Sequence, residues 1–571
     1  MRGLGLSIST TAPTEEVPGE SDEAPQSPKP SRVRRVAGWV LTAGALVLVF
    51  AALVAPDQHT RLTPGSFVRI PAEGLAGAAV LLVLRGRART IVAAAAGAFL
   101  GALILVQALD FGMWTFLNRQ FDLVADWGLL DDGVNFLRDA IGRAGSIGAA
   151  VVAIVLALGV LVLVSLSAVR LATIAARHRA GTTTGVGILA VMWIACALLG
   201  TQLVPGVPVA ADSQAGLVRG RATMIRDSLH DQRAFAQAIV DDPFRTTPAD
   251  RMLTGLRGKD VVFSFVESYG RSALADPAQA AIVGPALAAG EQQLEAAGFT
   301  ARSGFLTSST FGGYSWLAHS TFQSGLLING QQRYRNLVST DRLTLTSSFR
   351  RAGWQTVAVE PDNTYAWPEG SFYGYERVYD ARNLGYGGPH FGWSTMPDQY
   401  TLAAFQRLEY GKPHGPMMAE ITLTSSHTPW APIPRPVDWN TIGNGAIYGP
   451  IAVAGRTPES IWRDSRQVRR EYARSIAYSV GSLVSWVSTY GKDNLVLVFL
   501  GDHQAASIVS GPNAGYDVPV TIVAHDPAVL DKLAAWGWQD GLRPSLSAPV
   551  LPMQAFRDRF LTTFGSQPGA P

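Results

Sequence analysis

The sequence predicts two parts of different class: an N-terminal α-helical membrane bundle of about five spans, followed by a C-terminal α/β domain with a mainly parallel central sheet. Three observations carry this. Five long apolar runs precede residue 206; after residue 258 short β-rich runs alternate with helical patterns; and several of those runs end in Glu, Asp or His.

With 571 residues the chain is too long for one compact core, and 47 % hydrophobic against 16 % charged residues is high for a wholly water-exposed protein. A single Cys196, inside an apolar run, leaves no disulfide framework. The net charge of +3, without a long basic block or aromatic RNA signature, argues against nucleic acid as a partner.

Residues 1–31 are rich in Pro, Glu, Ser and Thr and read as a disordered cytoplasmic tail. The first span, "VAGWVLTAGALVLVFAALVA" (36–55), is long enough at ~1.5 Å per residue to cross a hydrocarbon layer of about 30 Å. Further spans are expected at about 68–84, 91–109, 146–169 and 186–205, the second being weakest because Arg69, Pro71 and Glu73 sit at its start. Arg32, Arg34 and Arg35, then Arg85, Arg87 and Arg89, then Arg170, Arg177 and Arg179 punctuate these runs. The positive-inside rule makes all three clusters cytoplasmic, so five crossings put the rest of the chain outside. The segment 111–144 mixes Trp114, Phe116, Phe121, Trp127 and Phe136 with charges, which fits an interfacial helix or packing on the bundle. The domain plan is therefore a bundle over 32–205, linker helices over 206–257 and an extracellular α/β domain over 258–571.

Within that last domain "DVVFSFVE" ends at Glu267, "MMAEITLTSSH" at His427, and "NLVLVFLGDH" at Asp502 and His503. Helical patterns at 288–298, 341–353 and 466–488 separate the strands, as a parallel sheet requires. Ligands of such sheets bind beyond the carboxyl ends of the strands, so these four residues are expected to meet on one edge. Carboxylates with imidazole suit a hard or borderline divalent cation. A nucleophile is sought in "SSTFGGYSWLAHSTFQSGL" (308–326), where hydroxyl residues and glycines lead into a helix whose N-terminus favours an oxyanion.

Residues from about 258 to 505 resemble the alkaline phosphatase and sulfatase superfamily, and the spans with an external domain resemble its membrane branch, the lipoteichoic acid synthases and phosphoethanolamine transferases. Placing Ser315 on the sulfatase nucleophile puts Ser324 and Gly325 on the Thr-Gly pair of that motif, while Leu317, Ala318 and His319 replace its Pro, Ser and Arg. The resemblance implies Ser315 as nucleophile with Thr310 in reserve. It also implies one divalent ion, Mn²⁺ before Zn²⁺ or Mg²⁺, held by Glu267, Ser315, Asp502 and His503, and His427 acting on the substrate side. It further implies a sulfatase-like phosphotransferase that moves a phospho-alcohol head group, of glycerophosphate or phosphoethanolamine type, from a membrane phospholipid donor to a cell-envelope glycan or glycolipid acceptor. The alternative is a membrane-anchored sulfatase or phosphoesterase. In "VEPDNTYAWPEGSF" Trp367 takes the place of an aromatic and Glu369 that of a phosphate-gripping Arg in the glycerophosphate-polymerising relatives. With His319 they are the substrate-binding candidates, and an acid there implies that the handled group is neutral or cationic.

Overall fold

The computed structural model describes residues 32–56, 64–117, 119–204, 207–211 and 213–566, without the side chains of residues 115, 116, 131, 132, 136, 139, 140, 203, 204, 213 and 228. The tail expected over 1–31 lies outside these residues, as do the side chains of Phe116 and Phe136.

Apolar runs become helices α1 (Arg32–Val54), α2 (Ala72–Val83), α3 (Gly86–Leu117), α4 (Gly128–Arg177) and α5 (Arg179–Leu199). Four of the five are long and apolar enough to cross a membrane. The exception is α2, the span weakened by Arg69, Pro71 and Glu73: its 12 residues reach only about 18 Å. Helices α3 and α4 pack antiparallel through two glycines. A Cβ on Gly97 would lie 2.6 Å from the Ser165 Cα, so only glycine permits the approach there, and one on Gly101 would lie 3.2 Å from the Leu161 Cα, a tight contact. That register sets Arg85, Arg87 and Arg89 level with the end of α4. Arg170 donates to the Gly38 carbonyl, which brings the start of α1 to the same level. All three arginine clusters therefore occupy one end of the bundle.

The other end carries the rest of the chain. Gln214 donates to the Ala52 carbonyl at 2.9 Å, and Ile70 and Pro71 pair with Ala210 and Ala211. Between α3 and α4 the chain passes through buried Leu117, Phe121 and Leu129, and Gly142, at φ +76°, breaks the helix between residues 128–141 and the long span. The aromatic segment thus folds as a cap on the bundle, with Gly128 against Arg335 of the domain beyond.

Helix α6 (Ser213–Val240) leads into the second part, whose centre is a nine-stranded sheet. Its strands are β1 (Asp260–Val266), β2 (Thr300–Thr307), β3 (Gln355–Glu360), β4 (Arg377–Asp380), β5 (Met417–Leu423), β6 (Leu495–Gly501), β7 (Asp517–Ala524), β8 (Gln539–Asp540) and β9 (Val550–Pro552). The order is β8-β2-β7-β6-β1-β5-β3-β4, with β9 also on β2. From β6 to β4 every pairing is parallel; β7 runs antiparallel to β6 and β2. The expected mainly parallel sheet is present, and helices α7 (Pro277–Ala296) and α10 (Ser465–Tyr490) cover one face. Every residue of β1 is buried, because both faces of the sheet are covered. Val262 and Val266 face one layer, while Phe263 and Phe265 face the other with Phe322 of α8 (Ser315–Ser324) and Phe560 of α11 (Phe556–Phe564). Helix α9 (Gln331–Val338) follows α8.

A charged knot joins the connector to this domain. Asp242, two residues past α6, accepts two hydrogen bonds from Arg557 at 2.9 and 3.0 Å and lies 3.2 Å from Arg342, all three side chains being almost fully buried. Removing the carboxylate strands two buried guanidinium groups, so Asp242→Ala is expected to lower stability by about 3–5 kcal/mol in chemical denaturation of the full chain. Loss below about 1 kcal/mol would show that the knot contributes little.

Candidate active site

Strand alternation explains why an acid ends β1. Glu267 follows Phe263 and Phe265 on the same side of the sheet, one step past the last paired residue. Parallel register pairs Val266 with Gly501 on one side and Leu423 on the other, so Glu267, Asp502 and the segment 424–427 emerge side by side.

There the side chains converge. Ser315 Oγ donates to Glu267 Oε2 at 2.9 Å and lies 3.3 Å from His503 Nε2. His503 Nε2 is 3.4 Å from Glu267 Oε1 and 3.5 Å from Asp502 Oδ2. The other imidazole nitrogen, Nδ1, lies 3.0 Å from the Gln504 carbonyl. With its proton there, Nε2 is left as a lone pair facing the acids. Asp502 Oδ1 accepts from the amides of Ser268 and His503, both at 2.7 Å, whereas its buried Oδ2 has no hydrogen-bond partner. Ligand atoms of Glu267, Asp502 and His503 lie within 4.8 Å of one another. An orphaned carboxylate oxygen, a second carboxylate and an imidazole lone pair around one point fit a divalent cation.

Two buried acids this close split their titration. Burial and the Glu267 charge push Asp502 up; Glu267 is held low by His503 and His427, although burial works against it. His427 Nδ1 lies 2.7 Å from the Thr428 carbonyl. Burial disfavours its charged form, but Glu267, Asp362 and Asp502 outweigh burial and raise its pKa.

Ser315 is the first residue of α8, which no side chain caps. Tyr314 before it has φ +62°, and Ser268 after Glu267 has φ +57°. Left-handed non-glycine backbone thus flanks both the hydroxyl and the acid, a strain that the surrounding hydrogen bonds hold. Loop 308–314 is tied to the Asp-His segment by Ser308 Oγ to the Asp502 carbonyl, and by the Gly312 amide to the Gln504 carbonyl at 2.8 Å. Thr310 Oγ1 donates to the Gly313 carbonyl at 2.7 Å, so the reserve hydroxyl braces the loop.

The substrate-side candidates sit farther out. Trp367 lies at a tilt to the rings of Tyr373 and Tyr375, Glu369 acts on Tyr334 of α9, and the Tyr373 hydroxyl hydrogen-bonds with Ser320 of α8 at 2.7 Å. His319 is buried beneath, stacked on Phe265 and 3.3 Å from Glu420. Sequence reading passed over Glu360 and Asp362 at the end of β3 and Glu420 within β5. The strand-end rule could have found the first two, and an acid inside "MMAEITL" the third. A cavity of about 650 Å³ opens beside loop 308–314, lined by Arg119, Asp126, Phe235, Thr310, Tyr314 and Arg333 among others, between the bundle cap, α6 and the catalytic domain.

A hydroxyl set among two carboxylates and an imidazole at the carboxyl edge of a parallel sheet places the domain among α/β enzymes that transfer or hydrolyse esters. Residues 260–520 match the family model described as Sulfatase. Solved structures similar to the chain include the lipoteichoic acid synthase LtaP from Listeria monocytogenes, at 14 % identity over 58 % of this chain and 78 % of that one, TM-score 0.37. Others are the phosphoglycerol transferase GacH of Streptococcus pyogenes (14 %, 60 % and 82 %, 0.35) and the soluble domain of lipooligosaccharide phosphoethanolamine transferase A from Neisseria meningitidis (14 %, 56 % and 93 %, 0.34). No curated protein matches the chain.

If the cluster holds a cation, Asp502→Asn and His503→Ala should each lose it, with metal content of the purified full chain falling from one equivalent toward zero at this centre. A buried charge left uncompensated should also lower the melting temperature. Unchanged metal content in both variants would refute the assignment.

Proposed function

We propose that this protein is a metal-dependent membrane phosphotransferase, moving a phospho-alcohol head group from a membrane phospholipid to a cell-envelope glycan or glycolipid through a phospho-serine at Ser315. The observation that carries the reading is the Ser315 hydroxyl, 2.9 Å from Glu267 and 3.3 Å from His503, on a domain mounted at the end of an apolar helix bundle.

Glu267, Asp502, His503 and Ser315 would hold the cation, with Mn²⁺ the first candidate. That ion, when bound, would supply Lewis-acid stabilisation of phosphorus oxygens and favour the serine alkoxide. Glu267 accepts the Ser315 proton. Ser315 Oγ attacks the head-group phosphorus, and the bond from phosphorus to the diacylglycerol oxygen breaks. His427, whose raised pKa favours the protonated form and whose Nδ1 is bound locally, presents Nε2 to protonate the leaving oxygen. An acceptor hydroxyl then attacks the phospho-serine, giving its proton to the deprotonated His427, while the bond from phosphorus to Ser315 Oγ breaks and Glu267 returns the proton to the serine; with water as acceptor the same residues run a hydrolase. Trp367 and Glu369 would face the head group, and the acid favours a neutral or cationic one. The cavity beside loop 308–314 supports approach from the membrane side, since bundle residues form part of its wall.

Orientation follows from the arginine clusters, which lie at the end of the bundle away from this domain and should stay in the cytoplasm. A reporter active only outside, fused after residue 571, should be active, and one in the 170–183 loop silent; the reverse would place the site inside.

Intact-mass analysis of the full chain in detergent with a mixed lipid extract tests the chemistry. A mass of glycerophosphate or phosphoethanolamine type should appear on Ser315 and name the group moved. Ser315→Ala should fold, keep most of its metal and carry no adduct, while Thr310→Ala should retain it. An adduct surviving Ser315→Ala would overturn the nucleophile. Release of head group to water, with no acceptor product, would favour the hydrolase.

A further inference from the structure

Helix α8 meets acids at two levels. Ser315 faces Glu267 at its start; one turn on, His319 faces a second pair, Glu360 at the end of β3 and Glu420 within β5. The His319 ring stacks on Phe265 with centroids 3.7 Å apart and planes at 17°, which fixes its plane. Its Nδ1 is 3.3 Å from Glu420 Oε1, and its Nε2 is buried with no hydrogen-bond partner; the residue as a whole is 9 % exposed. Each carboxylate has one oxygen tied down: Glu420 Oε2 accepts from Gln323, and Glu360 Oε2 accepts from Thr422 at 2.9 Å. A ring nitrogen of His319 and one oxygen from each acid lie within 4.8 Å of one another. Ligand atoms around a Zn²⁺ ion, at about 2.0–2.2 Å from it, stand roughly 3–4 Å apart, so a small contraction closes the set.

Charge makes the same case. The favourable charges acting on Glu267, Glu360, Asp362 and Asp502 are those of His319, His427 and His503. Three imidazoles face five acids, Glu420 included, and a single ion among Glu267, Asp502 and His503 leaves Glu360 and Glu420 to His319.

We propose that His319, Glu360 and Glu420 form a second divalent-cation site, of the Zn²⁺ class by its one nitrogen and two oxygen donors, separate from the centre at Glu267, Asp502 and His503. An ion there ties α8 to β3 and β5 and so fixes the helix that presents Ser315. The site is independent of the transferase reading.

The test counts ions. The full-length protein in detergent is stripped with a chelator, dialysed against buffered low free Zn²⁺, and assayed for bound zinc per chain. Wild type should hold two equivalents, Asp502→Asn one, Glu360→Gln one, and the double variant none. Glu360→Gln is the conservative probe, because its amide oxygen can still accept from Thr422. Co²⁺-loaded Asp502→Asn should show the visible absorption of a low-coordinate nitrogen–oxygen site, abolished by adding Glu360→Gln. Wild type saturating at one equivalent, with that ion lost in Asp502→Asn, would overturn the second site and leave the first intact. Retention of two equivalents by Glu360→Gln would overturn it as well. A protein that binds two ions but forms no Ser315 adduct would keep this site while sinking the proposed transfer.

Discussion

Glu267 and Asp502 are buried side by side, and the domain is arranged around the cost of that. Two like charges a few ångströms apart, cut off from water, repel far more strongly than on a surface. The parallel pairing of β1 with β6 fixes the problem in place, because it sets Val266 beside Gly501 and delivers both acids to the same edge. Backbone amides answer part of it: Ser268 and His503 both donate to Asp502 Oδ1, while the Ser268 hydroxyl donates to Glu267 Oε1. What remains is a buried Asp502 Oδ2 with no hydrogen-bond partner, 3.5 Å from His503 Nε2, a demand for positive charge that no lysine or arginine among the described residues meets.

The loop that leads into Ser315 depends on the same edge. Loop 308–314 gains its position from the chain that follows Asp502, through the carbonyls of Asp502 and Gln504 and a bridge between Phe311 and Gln504. Tyr314 then takes a left-handed conformation, and α8 starts at Ser315 with its hydroxyl already on Glu267. Serine placement thus follows from acid placement, since moving the Asp-His segment would carry the loop with it.

Much of this arrangement was legible before any coordinates. Apolar runs ending in Glu267, His427 and Asp502-His503 carried their own meaning, because a parallel sheet brings its carboxyl ends to one edge. Ser315 was reachable through a resemblance in spacing; its hydroxyl lies on Glu267, whereas that of Thr310 is spent on Gly313. Glu360 and Glu420 were not reachable in the same way. Their meaning lies in the register of β3 with β5 and in a helix crossing above, contacts far apart in sequence. The short α2 was half legible: polar residues at its start flagged weakness, but helix length depends on where the flanking chain pairs, here Ile70 with Ala210.

The seam between bundle and catalytic domain is built of paired charges, and this bears on how the site meets the bilayer. Arg221 pairs with Asp110 at the top of α3, Arg119 with Asp126 in the bundle cap, and Arg333 with Asp231 of α6. Exposed pairs of this kind add little. Arg221 and Asp110 are nearly fully buried, however, and buried pairs tolerate no loss of geometry, since separation leaves each charge without water or partner. Such a seam holds one arrangement rather than a range, unlike a polar linker. The buried Arg221–Asp110 pair thus sets the height at which the α/β domain stands on the bundle, where a flexible tether would average over it.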